Sequence, residues 1–183
     1  MSKRGAADWL NSPKMQQILL VFSAPKTPKQ AQLELSVRKI KLNSFLENNL
    51  LKCLNPEARK GRFYVLSGKA KKQLNLSVSK NDTDKNWELI GWIIASPRQR
   101  LAILRVMDAR KFTSEELRAR ATQFNTHMTR ISTKSILKEL MEKHLVDTET
   151  IERLRFYWLT SYGLKIKDDV SVIVPIAPLF FSA

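Results

Sequence analysis

Apolar and polar positions along the chain fall into a series of elements that occurs twice. The stretches SPKM (12–15) and SPRQ (96–99) each place serine before proline, an arrangement typical of a helix N-cap and first turn, and apolar residues follow at helical spacing. The stretches TPKQ (27–30) and TSEE (113–116) have the Ser/Thr-x-x-Glu/Gln form of a capping box. Two helices are therefore predicted at the start of each half.

A third helix is predicted next, with an apolar stripe on one side and a polar, basic start. It spans RKIKLNSFLENNLLKCLN (38–55) in the first half and TRISTKSILKELMEKHLVD (129–147) in the second. Aligning Leu46 with Leu137 brings the apolar positions of the two stretches into register. Polar and cationic residues at a helix N-terminus suit contacts with phosphates and base edges.

The sequence Arg-Phe-Tyr-x-Leu-(Ser/Thr) follows each third helix, at residues 62–67 and 155–160, with Gly68 or Gly163 close behind. It predicts a hairpin strand in which the Phe or the Tyr packs inward and the hydroxyl residue caps the next element. The offset between the halves grows from 84 residues at the first helix to 93 at the tyrosine, so the second half has gained loop residues. Helix, helix, helix and hairpin thus occur twice, as in a duplication of domain-sized units.

This pattern resembles the winged helix-turn-helix superfamily, in particular the MarR- and ArsR-type transcription regulators. The second half carries the fuller match, at Ile136, Leu137, Leu140, Leu145, Val146, Tyr157, Leu159, Thr160 and Gly163. The first half matches at Phe45, Leu46, Leu50, Leu54, Tyr64, Leu66, Ser67 and Gly68. It departs at Asn49, where leucine is usual, and has fewer residues before its glycine. Cys53 and His144 stand where a turn glycine is common.

The resemblance covers most of the chain and implies a mainly α fold with small β-hairpin wings, arranged as two tandem winged-helix domains. We expect the first domain over residues 1–79, a linker and the start of a connecting helix over 80–91, and the second domain with an apolar C-terminal tail over 92–183. Winged helices mostly bind DNA, although some serve only in protein interactions.

The resemblance also implies which residues would touch DNA. A helix-turn-helix places the N-terminal residues of its second, recognition helix against base edges, and the wing tip adds phosphate or minor-groove contacts. The residues implied for the first half are Arg38, Lys39, Lys41, Asn43 and Ser44 on the helix and Arg59, Lys60 and Arg62 on the wing; those for the second half are Arg130, Ser132, Thr133, Lys134 and Ser135. The alternative for each of them is a solvated polar face without a partner.

Charge makes a polyanion the leading expectation for a partner. The 183 residues include 32 Lys and Arg against 17 Asp and Glu, a net charge of +15, and each phosphate that a cation neutralises releases counterions and adds affinity. Residues 1–91 carry +10 and residues 92–183 carry +5, and the segment DTETIER (147–153) is acidic where the second wing would begin. We therefore expect the first half to supply more of the affinity for DNA, while the second half adds a weaker contact or engages a protein.

The sequence contains no catalytic or metal-binding pattern. Cys53 is the single cysteine, and His127 and His144 are the two histidines, which are too few ligands for a usual zinc site and allow no internal disulfide. None of the five glycines belongs to a phosphate-binding loop motif. We expect a protein that is not an enzyme, uses no cofactor or metal, has no signal peptide or membrane span, and works in the reducing cytoplasm in association with the nucleoid.

The leading hypothesis is sequence- or structure-directed binding of double-stranded DNA by a transcription regulator or a DNA organiser. Two alternatives remain open: a plasmid- or virus-type replication initiator, and a winged-helix scaffold subunit that binds protein. The apolar stretch VSVIVPIAPLFFSA (170–183) would either pack on the second domain or support a homodimer or a protein contact. No membrane partner is expected.

Overall fold

The computed structural model describes residues 12–76 and 84–174, which form a mixed α/β protein. Within these residues there are nine helices and two small antiparallel sheets, one of two strands and one of three. The chain divides into two compact units, Met1–Gly91 and Trp92–Ala183, and the division falls inside the helix Trp87–Ile94. Part of the expected linker and most of the apolar C-terminal stretch lie outside the described residues.

The first unit has three helices, a two-stranded sheet and a fourth helix, in that order along the chain. Its strands pair antiparallel with Leu51 opposite Leu66, and an isolated bridge joins Lys26 to Tyr64. Its elements are α1 (Pro13–Val21), α2 (Pro28–Glu34), α3 (Asn43–Glu47), β1 (Leu51–Cys53), β2 (Tyr64–Leu66), α4 (Gly68–Gln73) and the first part of α5 (Trp87–Ile94).

The second unit repeats that order, with a short strand in place of the isolated bridge. Its sheet has the order β3-β5-β4, and Phe112 of β3 lies opposite Tyr157 of β5. Its elements after the end of α5 are α6 (Arg100–Val106), β3 (Phe112–Thr113), α7 (Ser114–Ala121), α8 (Arg130–Glu142), β4 (Val146–Ile151), β5 (Leu154–Leu159) and α9 (Ser161–Ile173).

The predicted helix starts are confirmed at three positions. Both capping boxes are present, since the hydroxyls of Thr27 and Thr113 each accept from the amide three residues later at 3.3 Å. The first helix begins directly after Ser12. The start predicted at SPRQ (96–99) is wrong in position, because these residues form a turn and α6 begins at Arg100.

The third helix is long in one unit and short in the other. In the second unit a long third helix is confirmed, since α8 spans 13 residues, but it ends at Glu142 and β4 begins at Val146, before the end of the predicted stretch. In the first unit the prediction of one helix over 38–55 is wrong, because α3 has only five residues and β1 begins at Leu51. The chain leaves α3 through Asn49, whose φ of 53° lies in the left-handed region that ends helices.

The two units leave their third helices by the same turn. His144 in the second unit has a φ of 57°, close to that of Asn49. The amide of the next residue, Leu50 or Leu145, donates to the carbonyl five residues earlier at 2.8 or 3.0 Å. Leu50 therefore corresponds to Leu145, and the predicted alignment of the two helices is wrong by four residues.

The hydroxyl after each repeated strand caps the next helix, as predicted. Ser67 Oγ accepts from the amide three residues later at 3.1 Å and donates to the carbonyl of Asn49 at 2.6 Å. Thr160 Oγ1 makes the same two bonds at 2.9 and 2.8 Å, and its acceptor is His144. In both units this hydroxyl joins the left-handed turn after the third helix to the start of the last helix.

The glycines behind the repeated strands are not equivalent. Gly163 is the third residue of α9, and a Cβ there would overlap the carbonyl oxygen of Leu145. The same position in α4 is the buried Ala70, whereas Gly68 is exposed with open space around it. The predicted match between Gly68 and Gly163 is therefore wrong by two positions, because it is the third residue of the helix that must be small.

Each unit buries its own apolar core. The prediction that the Phe or Tyr of the repeated strand packs inward is confirmed, since Phe63, Tyr64 and Tyr157 are buried. Trp87 packs on Phe63 with ring centroids 5.2 Å apart, as expected for a core tryptophan. The largest fully buried side chains are Leu19, Phe22, Phe45, Leu50, Phe63 and Ile90 in the first unit and Ile93, Ile103, Leu104, Met107, Leu117 and Leu137 in the second.

Candidate nucleic-acid interface

In the first group of predicted residues, three lie ahead of α3 and two lie on it. Arg38, Lys39 and Lys41 are exposed in the irregular segment between α2 and α3, which corrects the prediction that they project from the helix. Asn43 is exposed as the first residue of α3, and Ser44 beside it is half-buried. In this irregular segment the exposed Lys39 and Lys41 alternate with the buried Ile40 and Leu42.

The second group lies in the loop between β1 and β2, here called the basic loop (residues 54–63). Arg59, Lys60 and Arg62 are all exposed there. The side chain of Asn55 is fully buried, with 0% of its surface exposed, at the base of this loop. Its Oδ1 accepts from the amide of Phe63 at 2.7 Å, so it closes the loop end to end.

The same asparagine also ties the basic loop to α5. Asn55 Nδ2 donates to the carbonyl of Gly61 at 3.0 Å and to that of Trp87 at 3.3 Å. Gly61 has a φ of 70°, which favours glycine. A Cβ at Gly91 would overlap the Asn55 amide and lie 2.7 Å from the Gly61 carbonyl, so the loop and the helix approach as closely as glycine allows. One buried amide therefore sets the path of the basic loop.

The predicted residues of the second unit divide between the surface and the interior of α8. Arg130, Lys134 and Ser135 are exposed. Ser132 is half-buried, and its hydroxyl accepts from the amide of Thr129 at 3.0 Å in a further capping box. Thr133 is buried and its hydroxyl donates to the Thr129 carbonyl at 2.9 Å, so it belongs to the interior, which corrects its placement among surface residues.

A concavity of about 760 Å³ opens in the second unit where α8, the start of α7 and the β4–β5 hairpin meet. Four cations line it, namely Lys134 and Lys138 of α8 and Arg153 and Arg155 of the hairpin. None of these four forms an ion pair with a carboxylate in the part of the chain that the structure describes. Two cationic elements thus face one space.

The single carboxylate that lines this concavity is already balanced by cations. Glu115 bonds to Arg118, and to Arg130 at 3.1 Å. The hydrogen bond from Arg118, and then that from Arg130, hold the pKa of Glu115 below its usual range, so it is ionised at neutral pH and paired. In the acidic hairpin segment Glu149 pairs with Lys111. The acidity of that segment is therefore partly compensated.

Sequence reasoning did not select three of the cations that line the concavity. Lys138 lies one turn after Lys134 on the exposed side of α8, and this spacing was visible in the sequence. Arg153 and Arg155 follow an acidic stretch, so composition gave no signal for them. Only the folded hairpin brings them to the helix.

Outside the segment ahead of α3, the basic loop and the concavity, the described residues add no further candidate site. His127 is exposed ahead of α8 and Cys53 is half-buried in β1. Within the described ranges, no three His, Cys, Asp or Glu residues gather in a way that could hold a metal ion. No helix there has the length and apolar character needed to cross a membrane.

Comparisons with known proteins gave no relative. The chain matches no protein-family model, no curated protein and no solved structure. Function is therefore inferred from the chemistry of the two cationic regions.

Proposed function

We propose that the two units are tandem winged helices that bind double-stranded DNA. The order of elements supports this: helix, bridge or short strand, helix, helix, hairpin and a last helix occur in each unit. In a winged helix the third helix enters the major groove and the hairpin contacts the backbone. The cations of α8 and of both hairpin regions lie on those elements.

The observation that carries the proposal is the set of four cations around the concavity of the second unit. Lys134 and Lys138 come from one wall and Arg153 and Arg155 from another, and none is paired with a carboxylate in the described residues. Unpaired cations that converge from two elements repel one another, and an anion between them relieves that repulsion. A phosphate backbone is the anion that suits a strongly basic protein.

The first unit contributes exposed cations of its own to DNA binding. Its basic loop presents Arg59, Lys60 and Arg62, and Asn55 fixes the path of that loop. The exposed cations ahead of α3 add to the positive charge of this unit. With +10 over residues 1–91, this unit supplies the larger share of the attraction to phosphate.

The protein acts by contact alone in this proposal, as a transcription regulator in the cytoplasm associated with the nucleoid. Groove contacts give it register on DNA, and phosphate contacts give it affinity. No covalent chemistry, cofactor or metal takes part.

The test measures binding of the full chain to a random-sequence duplex by fluorescence anisotropy, across a series of salt concentrations. Each phosphate contact contributes about −0.9 to the slope of log K against log salt, so a steep negative slope is expected. The double variant K134Q/K138Q should weaken binding, whereas K165Q, which removes an exposed lysine of α9 outside the concavity, should have little effect. Absence of binding at low salt would overturn the proposal.

A scaffold that binds protein is the second candidate, and one observation favours it. Ile131, on the outward side of α8, is 83% exposed, so a large apolar side chain is accessible there to a protein partner. An interaction subunit would retain folded structure, show no salt-dependent binding to DNA, and lose its protein partner on I131S.

A further inference from the structure

Apolar side chains line the concavity of the second unit together with its cations. These apolar side chains are called here its apolar floor. Met141, Leu154 and Tyr157 line it together with the four basic residues. Leu154 is 56% exposed at the start of β5, so a large apolar side chain is accessible to a ligand there. Phosphate contacts alone require no such floor, because a phosphate group offers only charged oxygens.

The chemistry of this floor and rim fits one form of nucleic acid better than another. In a duplex the bases are stacked and paired, and they present only their edges to a protein. An unstacked nucleotide presents a flat, largely apolar base face beside its own anionic phosphates. Proteins that bind single strands stack such faces on aromatic side chains in a positively charged groove, and enzymes that extrude a base hold it between aromatic or apolar side chains.

We propose that this concavity binds an unstacked nucleotide, with the base against Leu154 and the adjacent phosphates between the lysines of α8 and the arginines of the hairpin. This inference rests on the proposed function and narrows its substrate class. The preferred ligand is DNA in which a duplex adjoins a single-stranded stretch. The first unit then holds the duplex through its basic loop, and the second unit selects the unpaired nucleotide.

Charge complementarity decides between this ligand and an uncharged apolar one. Four cations surround the floor, and its one carboxylate, Glu115, is paired with two arginines. An acidic amphipathic peptide would share this charge. The nucleotide is favoured because the remaining exposed cations, in the basic loop and ahead of α3, also suit a polyanion.

The experiment compares three ligands that share one duplex: blunt, with an oligo-dT tail, and with a tail of abasic residues. The abasic tail has the same phosphates but no bases, so it separates base contact from added charge. The full chain should bind the dT-tailed duplex about tenfold more tightly than the abasic-tailed one, the effect expected of one base contact.

Two variants assign that preference to the concavity. L154S should reduce the ratio of dT-tailed to abasic-tailed affinity towards one while leaving blunt-duplex affinity unchanged. I131S, a matched change at an exposed apolar residue of α8 outside the concavity, should leave the ratio unchanged. The thermal midpoint of each variant checks that it is folded.

The outcomes separate this inference from the proposed function. Equal affinity for all three ligands would overturn the inference and leave duplex binding intact. A preference for bases that survives L154S would overturn it as well, since the base would then bind elsewhere. Binding of an acidic amphipathic peptide with no preference for a dT tail would replace the nucleotide with a protein ligand. Absence of binding to every DNA would overturn both proposals.

Discussion

The two units hold their cations in place by different means, although they share one order of elements. The first unit presents them on irregular backbone, in the segment ahead of α3 and in the basic loop, and a buried side-chain amide at Asn55 fixes that loop. The second unit presents them on a 13-residue helix and on a hairpin of two six-residue strands. Helix and strand hydrogen bonds hold Lys134, Lys138 and Arg155, and among the described residues of this unit the buried polar side chain is that of Thr133.

This difference indicates which substitutions would displace the cations of each unit. In the first unit the position of the charges depends on interior polar groups, which are costly when left without partners. In the second unit it depends on the surface residues themselves. Substitutions in the interior should therefore displace the cations of the first unit more than those of the second unit.

The largest expected effect is that of N55A on the first unit. It removes three hydrogen bonds to backbone groups at a fully buried site, together with a weak one from the Cys53 thiol, and leaves the Phe63 amide and two carbonyls without that partner. We expect a loss of about 4 kcal/mol in unfolding free energy. Chemical denaturation measures this loss, and faster hydrogen exchange at the Phe63 amide locates it.

A change at a buried polar residue of the second unit provides the reference for N55A. T133V removes one buried hydroxyl that donates to the Thr129 carbonyl, so it should cost about 1 kcal/mol. Equal losses for N55A and T133V would show that the first unit has no special dependence on its buried amide.

The next effect concerns affinity for DNA. K39Q/K41Q/R59Q/K60Q removes four exposed cations of the first unit and should lower affinity about a hundredfold or more, with the salt slope reduced by about 3.6. K134Q/K138Q/R153Q/R155Q removes four cations from the second unit and should lower blunt-duplex affinity less, about tenfold. Anisotropy across a salt series measures both.

The net charges of the two halves, +10 and +5, are the reason for this order. If the second variant loses more affinity than the first, the assignment of the main duplex contact to the first unit is wrong. Both variants change surface residues only, so unchanged thermal midpoints serve as the control.

A smaller effect tests what the units share. S67A and T160A each remove a hydroxyl that caps a helix and donates to the carbonyl of a left-handed residue. Because the bonds are the same, we expect equal losses of about 1 kcal/mol in unfolding free energy. A clear difference between the two variants would show that the capping turns are not energetically equivalent.

The smallest effect concerns Glu115 and pH. Its pKa is lowered by Arg118 and then by Arg130, so its ion pairs stabilise the folded chain above the pKa of unfolded glutamate, about 4.3. That contribution is lost as the pH falls through the lower, folded pKa. E115Q should therefore show a slightly weaker loss of stability on acidification than the unchanged chain, measured by denaturation across this acidic range. An identical acid profile would argue against these ion pairs in solution.

Much of the local structure was predictable from short stretches of sequence. The capping boxes at Thr27 and Thr113 depend on residues three positions apart, and both formed as predicted. The repeated strand also depends on nearby residues, and its Tyr64 and Tyr157 are buried. These signals are strong because the interacting groups are close along the chain.

The errors arose where distant residues decide the structure. The stretch 38–55 has helical periodicity, yet helix competes there with a strand that pairs with residues much later in the chain. The helix ends at Glu47, and after the turn at Asn49 the chain pairs as a strand, with Leu51 opposite Leu66. Likewise the concavity unites α8 with Arg153 and Arg155, which no local pattern connects.

Composition and near neighbours in the chain were enough to predict the repetition of elements, the helix caps, the inward tyrosines and the excess of positive charge, because each of these depends on residues a few positions apart or on residue counts. Tertiary structure alone decided that Asn55 is buried between the basic loop and α5, and that an apolar floor lies among four unpaired cations. Both features need contacts between segments far apart in the chain, and only packing selects which of many such contacts form.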